Sequence, residues 1–179
     1  MCAIEYYTYE DYKKWEGDWE LIDGIPLAMA PAHLPTHQFI TFQISHQLNS
    51  QLEEYLECAV LGEVDYKIDE ENVLRPDLVL TCEKLNKPYL SLAPEIVFEI
   101  VSPSTARRDE KFKFELYEKE KVKYYVLVYP NDKKAKVYKL NNSKYEKEGD
   151  IITKYEFKET KCKVSVDFEK IFKRLSIIT

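Results

Sequence analysis

Hydrophobic and polar positions change period several times along this chain, and each change marks an element. EYYTYEDYKKWE, residues 5–16, predicts a short helix capped by Thr8, because Glu10 and Asp11 then fall in its first turn. WELIDGIPLAMAP alternates around Asp23-Gly24, a pair suited to the left-handed backbone of a two-residue hairpin turn. From His37 to about Glu57, Ile40, Ile44, Leu48, Leu52 and Tyr55/Leu56 recur at helical spacing, so a long helix capped by Thr36 is predicted. Its other face is rich in Gln and Glu and reads as solvated. Strands are predicted at 59–61, 64–68, 78–82 and 96–101, separated by the turn-forming stretches Asp69-Glu70-Glu71-Asn72 and Asn86-Lys87-Pro88.

IVFEIV is apolar apart from Glu99, the pattern of a central strand buried on both faces. Ser102-Pro103-Ser104 ends it, and Ser104 or Thr105 caps the helix expected next. YYVLVYP is a further strand stopped by Pro130. Asn131-Asp132-Lys133 and Asn141-Asn142-Ser143 then turn the chain through KAKVYKL into KYEK, a β-meander with one wet face. Strands at 151–157 and 163–166 precede a final helix, from Asp167 as N-cap to about Leu175. No repeat, low-complexity segment or linker interrupts the pattern. The expectation is one α+β domain, residues 1–179, with a mixed central β-sheet flanked by helices.

Composition changes this picture little. The sequence has no apolar run near the roughly 20 residues of a membrane helix, and its acidic, aromatic start is unlike a secretory signal, so a cytoplasmic protein with no membrane partner is expected. Four scattered cysteines, Cys2, Cys58, Cys82 and Cys162, contain no CxxC pair. They read as reduced thiols packed as small hydrophobes rather than as a zinc site. The net charge of −6 is uneven: residues 1–104 carry 6 basic and 19 acidic side chains, residues 105–179 carry 20 and 13. The basic second half could offer a phosphate a local positive field despite the acidic whole.

Within this frame a few charges stand where charges are costly. Glu99 shares a strand face with Val97 and Val101, so it must neutralise or find a partner. Asp77 follows Pro76, which sets it at a strand end where a side chain can reach a cleft. Two such acids make an oxygen-rich site suited to Mg²⁺ or Mn²⁺. On the helix that follows, with Asp109 at zero, Phe112 lies near about 300°, Leu116 near about 340° and Lys113 near about 40°. Lys113 therefore sits in the stripe that faces the sheet, with Asp109 one turn earlier, whereas Lys111 points to solvent. Two acids and a lysine fit metal-dependent phosphodiester hydrolysis. An internal ion-pair network of Asp77, Glu99, Lys113 and Arg75 would explain the same charges without chemistry. His37, in the first turn of the long helix, reads as a capping or packing residue, and Glu20 lies on a strand bordering the site.

WELIDGIPLAMAP followed by His37 on a helix, RPDLVL, PEIVFEIVSPST, Asp109-xxx-Lys113-xxx-Tyr117 and the strand YYVLVYP together resemble the Uma2 family of restriction endonucleases, within the PD-(D/E)XK nuclease superfamily. The resemblance runs from about Trp19 to Pro130. It implies a restriction-endonuclease-like core and endonuclease activity on DNA. Asp77 and Glu99 match the family's acids, and the main-chain carbonyl of Ile100 would complete the metal shell. Val101 stands where the superfamily's lysine usually does, and Lys113 matches a lysine moved to the following helix. Glu20 matches an acid that adds to the site through a water, with Asp109, Tyr117 and His37 in supporting positions. The chain departs from the family at Lys121-Val122, where Gly-Val is common, at Tyr125-Val126, and at Tyr129, which replaces an acid. A homodimer suits paired cuts on a duplex, and a separate recognition partner is compatible with the lack of a helix-turn-helix or zinc finger. The competing reading is a catalytically silent binding or assembly protein, motivated by the 14 tyrosines and the acidic first half.

Overall fold

The strand IVFEI is the hub of the architecture. A computed structural model describes residues 5–29, 34–149 and 151–178. In it, β7 (Ile96–Ile100) lies fully buried inside a six-stranded mixed sheet. On one side β7 pairs antiparallel with β6 (Leu78–Thr81), and β3 (Ala59–Gly62) forms the edge beyond. On the other it pairs parallel with β8 (Tyr124–Tyr129), followed by the antiparallel strands β9 (Lys134–Asn141) and β10 (Lys144–Lys147). The β7–β8 connection is parallel and so needs a crossover. It carries a π-helical turn, Arg108–Lys113, that runs without a break into α3 (Phe114–Lys119).

Side chains alternate along β7, so each face has its own core. Ile96, Phe98 and Ile100 join an apolar layer with Ile40, Ile44 and Leu48 of α2 (Pro35–Asn49). Phe168, Ile171, Phe172 and Leu175 of α4 (Phe168–Leu175) complete that layer. Each fully buried Ile, Leu or Phe contributes roughly 1.5–3 kcal/mol. Val97 and Val101 point the other way, into a layer with Val79, Tyr117, Val122, Tyr125 and Leu127. A four-stranded sheet in the order β2-β1-β5-β4 covers part of that side. It is built from β1 (Trp19–Ile22), β2 (Ile25–Ala28), β4 (Tyr66–Lys67) and β5 (Val73–Leu74).

The local chemistry follows the sequence closely in several places. Thr8 opens α1 (Tyr9–Tyr12) through a capping box in which its N–H and hydroxyl both donate to Asp11. Asp23 and Gly24 take φ of 50° and 72° and close the β1–β2 hairpin. Asp167 caps α4 by accepting the Lys170 N–H at 2.8 Å. Helix α3 ends in a Schellman motif, with Val122 N–H bonded to the Tyr117 carbonyl and Lys121 N–H to that of Glu118.

Other expectations are corrected. Helix α2 stops at Asn49 rather than near Glu57, and its cap is Leu34, with Pro35 supplying the preset φ of the first turn. Beyond Ser50 the chain tightens into turns that still bury Leu52 but leave Leu56 exposed, so the helical spacing there was coincidental. Gln47 and Gln51, on the face read as solvated, instead clamp the edge of β12 (Val164–Asp167). The amide of Gln51 exchanges hydrogen bonds with the Ser165 backbone, and Gln47 does the same with Asp167. Strand β12 pairs with β11 (Lys154–Phe157) in a small separate sheet. The reduced-thiol expectation fails for Cys58 and Cys82, which form a disulfide, and holds for Cys162, which is free and buried. Cys2 and the end of WELIDGIPLAMAP lie outside the described residues. Among the described residues, no helix is long and apolar enough to cross a membrane.

Candidate active site

Register brings the two acids together. Leu78 lies opposite Phe98 in the β6–β7 pair, and one further step sets Asp77 opposite Glu99. Both point to the face that carries Val79, Val97 and Val101. Asp77 Oδ2 accepts the Ile100 N–H at 2.7 Å and lies 3.0 Å from His37 Nε2. His37 is thus held in the first turn of α2 against an acid, rather than acting as a cap.

Lys113 arrives from the crossover. Its Nζ lies 2.9 Å from Glu99 Oε1, 2.7 Å from Glu20 Oε1 and 3.9 Å from Asp109 Oδ1, with Lys113 itself 3% exposed. Lys113 faces the sheet as expected, but Phe112, placed in the same stripe on the helical wheel, is exposed instead, because the first turn is π-helical and advances less than about 100° per residue. Such π turns recur at functional sites. Tyr117 donates its hydroxyl to Glu99 Oε1 at 3.2 Å, and the Tyr125 hydroxyl donates to the Asp109 carbonyl at 2.9 Å. Glu20, on β1, is fully buried and also accepts the Arg75 N–H at 2.9 Å. The Arg75 side chain turns away to Asp65 and Asp18, so it does not join the ion-pair network expected of it.

Arg108 escaped the sequence reading. Its Nη1 lies 3.1 Å from Glu20 Oε2, and the residue lines the same cavity as the acids. The available signal was the Arg107-Arg108 pair opening a helix straight after a buried strand. The cavity itself is about 310 Å³ and is bordered by Glu20, His37, Asp77, Glu99, Asp109 and Lys113.

Electrostatics sort these acids. Burial disfavours the charge on Asp77, but His37, Lys113 and the Ile100 N–H outweigh it and hold the carboxyl below its ordinary range. Burial dominates at Glu99 and pushes it well up, offset only in part by Lys113. It also raises Asp109 to about 6, again against the pull of Lys113. Lys113 is driven the opposite way. Burial alone would neutralise it, yet Glu20, Glu99 and Asp109 raise its pKa above that of an ordinary lysine, so it stays protonated.

The donor set fits a hard divalent cation. The recorded hydrogen bonds to Asp77 and Glu99 fall on Asp77 Oδ2 and Glu99 Oε1, and both residues line the cavity. Four carboxylates (Glu20, Asp77, Glu99, Asp109) face two cations (Lys113, Arg108), which leaves −2 when all are ionised. Among the described residues, no three carboxylate or imidazole ligand atoms lie mutually within 4.8 Å.

Comparison with known proteins bears on the family and the fold. Residues 5–156 match the family described as "Uma2: Putative restriction endonuclease". No curated protein matches the sequence. A crystal structure from Anabaena variabilis ATCC 29413, described as "a putative nuclease belonging to DUF820", superposes with a TM-score of 0.76 at 15% identity, covering 94% of this chain and 98% of that one. That likeness shows the restriction-endonuclease-like fold. The family match covers most of the chain, and the chain belongs to the Uma2 family.

Proposed function

We propose that this chain is a metal-dependent endonuclease that hydrolyses phosphodiester bonds of DNA, with Asp77 and Glu99 holding Mg²⁺ or Mn²⁺ and Lys113 assisting the attacking water. One observation carries the reading: a buried Lys113 reaches from the crossover helix to Glu99, beside Asp77, at the wall of an accessible cavity. A divalent cation held there would supply charge stabilisation at the phosphate and a water of lowered pKa. The Ile100 carbonyl, one residue beyond Glu99, is the natural third protein ligand.

The remaining work falls to side chains. Lys113 would orient the water and offset charge building on the phosphate. Asp109 and Tyr117 hold Lys113 and Glu99 in place, and His37 does so for Asp77. Glu20 anchors Lys113 and Arg108 together. A homodimer in the cytoplasm, with or without a separate recognition partner, belongs to the same proposal. The test is cleavage of plasmid DNA, single-stranded DNA and RNA with Mg²⁺ or Mn²⁺, by wild type and Asp77→Ala. Metal-dependent cleavage of DNA that disappears in the variant supports the proposal. Cleavage absent with every cation, or equal in the variant, overturns it.

A second reading, a nuclease fold kept for binding or assembly, draws on a different observation. Glu99 Oε1 is already taken by both Lys113 and Tyr117, as in a self-satisfied ion-pair network. That reading expects no cleavage of any nucleic acid by the wild-type chain with either cation.

A further inference from the structure

Three sulfurs meet on the apolar face of the central sheet, away from the carboxylate cavity. Cys58 precedes β3 and Cys82 follows β6. The register Ala59↔Thr81 continues one step to set them opposite each other, where they form a disulfide at the sheet edge. Cys162 comes from a separate element, the loop between β11 and β12, and is buried as a free thiol. That loop is pinned by the Thr160 hydroxyl, which lies 2.8 Å from the Phe157 carbonyl and also contacts that of Cys162. All three Sγ atoms lie within 4.8 Å of one another, and all three residues belong to the layer under α2 and α4.

A cross-strand pair alone accounts for a disulfide. It does not account for a third sulfur brought by a different hairpin to the same point. We propose that, once the disulfide is reduced, Cys58, Cys82 and Cys162 form a three-thiolate site for a thiophilic cation. A metal–sulfur bond of about 2.3 Å sets ligating sulfurs within about 4 Å of one another, a spacing the cluster reaches by small side-chain rotations. Thiolate selects soft cations over the hard ones suited to the carboxylate cavity. No fourth His, Cys, Asp or Glu ligand atom joins the group among the described residues. The set therefore suits Cu(I) or Cd(II), which accept three sulfurs, better than Zn(II), which takes a fourth ligand.

The chemistry balances with a named reductant. A phosphine attacks the Cys58–Cys82 bond and delivers two electrons, water then supplies the oxygen of the phosphine oxide and the two protons, and both sulfurs leave as thiols. The cation then replaces the protons of the three thiols, which pass to solvent. Disulfide and metal are thus mutually exclusive, since both use the same two sulfurs.

The test uses the full chain carrying Cys2→Ser, reduced with a phosphine and titrated anaerobically with Cd²⁺. The readout is sulfur-to-metal charge-transfer absorption in the ultraviolet. The expected result is a band that saturates at one equivalent, is absent from the oxidised protein, and weakens in both Cys162→Ser and Cys82→Ser with roughly a hundredfold loss of affinity. Circular dichroism checks folding, and Cys82, only partly buried, decides if Cys162→Ser does not fold. Absence of a saturable band in the reduced protein overturns the proposal. So does a band of equal strength in the folded variants.

Discussion

Two faces of one strand do opposite jobs. On β7, Ile96, Phe98 and Ile100 enter a layer closed by α2 and α4 in which the packing is apolar. On the reverse face, Glu99 sits between Val97 and Val101 and draws in Lys113, Glu20 and Asp109, each 3% exposed or less. The backbone is common to both, so the difference lies in what covers each face. Helices α2 and α4 cover the first with apolar side chains. A crossover that starts with a π turn and an open cavity cover the second. The first face supplies stability, and the second uses some of it to keep charges poised in a place where water alone would not leave them.

The strongest way to break that comparison is to remove function without removing stability. Glu99→Gln keeps the shape and leaves Lys113 with Glu20 and Asp109. Cleavage should fall on the order of a thousandfold, while the urea midpoint shifts little. Phe98→Ala, one residue away on the other face, should do the reverse. Phe98 is fully buried, with its ring 5.8 Å from that of Phe157. Its loss should cost about 3–5 kcal/mol by urea denaturation, with cleavage per folded molecule unchanged.

A gentler probe is pH. Asp109 titrates near 3.8 when unfolded and at about 6 when folded, so between these values the folded state holds a proton that the unfolded state has lost. With metal chelated, stability should therefore fall as pH rises from about 4 to about 6, by up to about 3 kcal/mol from this group. Glu99, also raised, acts in the same direction. Asp77, held low, acts oppositely, adding stability above its unfolded pKa that is lost in stronger acid. Asp109→Asn should flatten the slope between pH 4 and pH 6 in a denaturation series. If it leaves the slope unchanged, the charged face does not carry that cost.

The smallest effect lies at the edge of the charged face. Lys121 has φ of 61° in the Schellman turn that ends α3, a conformation that costs an L-residue. Lys121→Gly should raise stability by about 0.5–1 kcal/mol, read as a higher Tm, with activity unaltered.

Much of this was legible in residue order because it depended on local periods. The two-residue alternation around Glu99 identified its face, and the angle of Lys113 identified its direction before any partner was known. The Asp23-Gly24 turn and the Asp167 cap are likewise local chemistry. What was hidden depends on register or on tertiary choice. Cys58 meets Cys82 only because β3 pairs with β6 in one register, which no spacing of cysteines reveals. Helix α2 ends at Asn49 and a turn still buries Leu52, while Gln47 and Gln51 find a strand edge that exists only in the folded chain. Arg108 was missed because its partner, Glu20, stands 88 residues away in sequence.

The most direct measurement is calorimetric titration of the chain with Mn²⁺, alongside Asp77→Asn, Glu99→Gln and the apolar-face variant Phe98→Leu. The expected result is Mn²⁺ bound by wild type and Phe98→Leu, and lost or strongly weakened in both carboxylate variants. Wild type that binds no Mn²⁺, or carboxylate variants that bind it as wild type does, would contradict the division of labour between the two faces of β7.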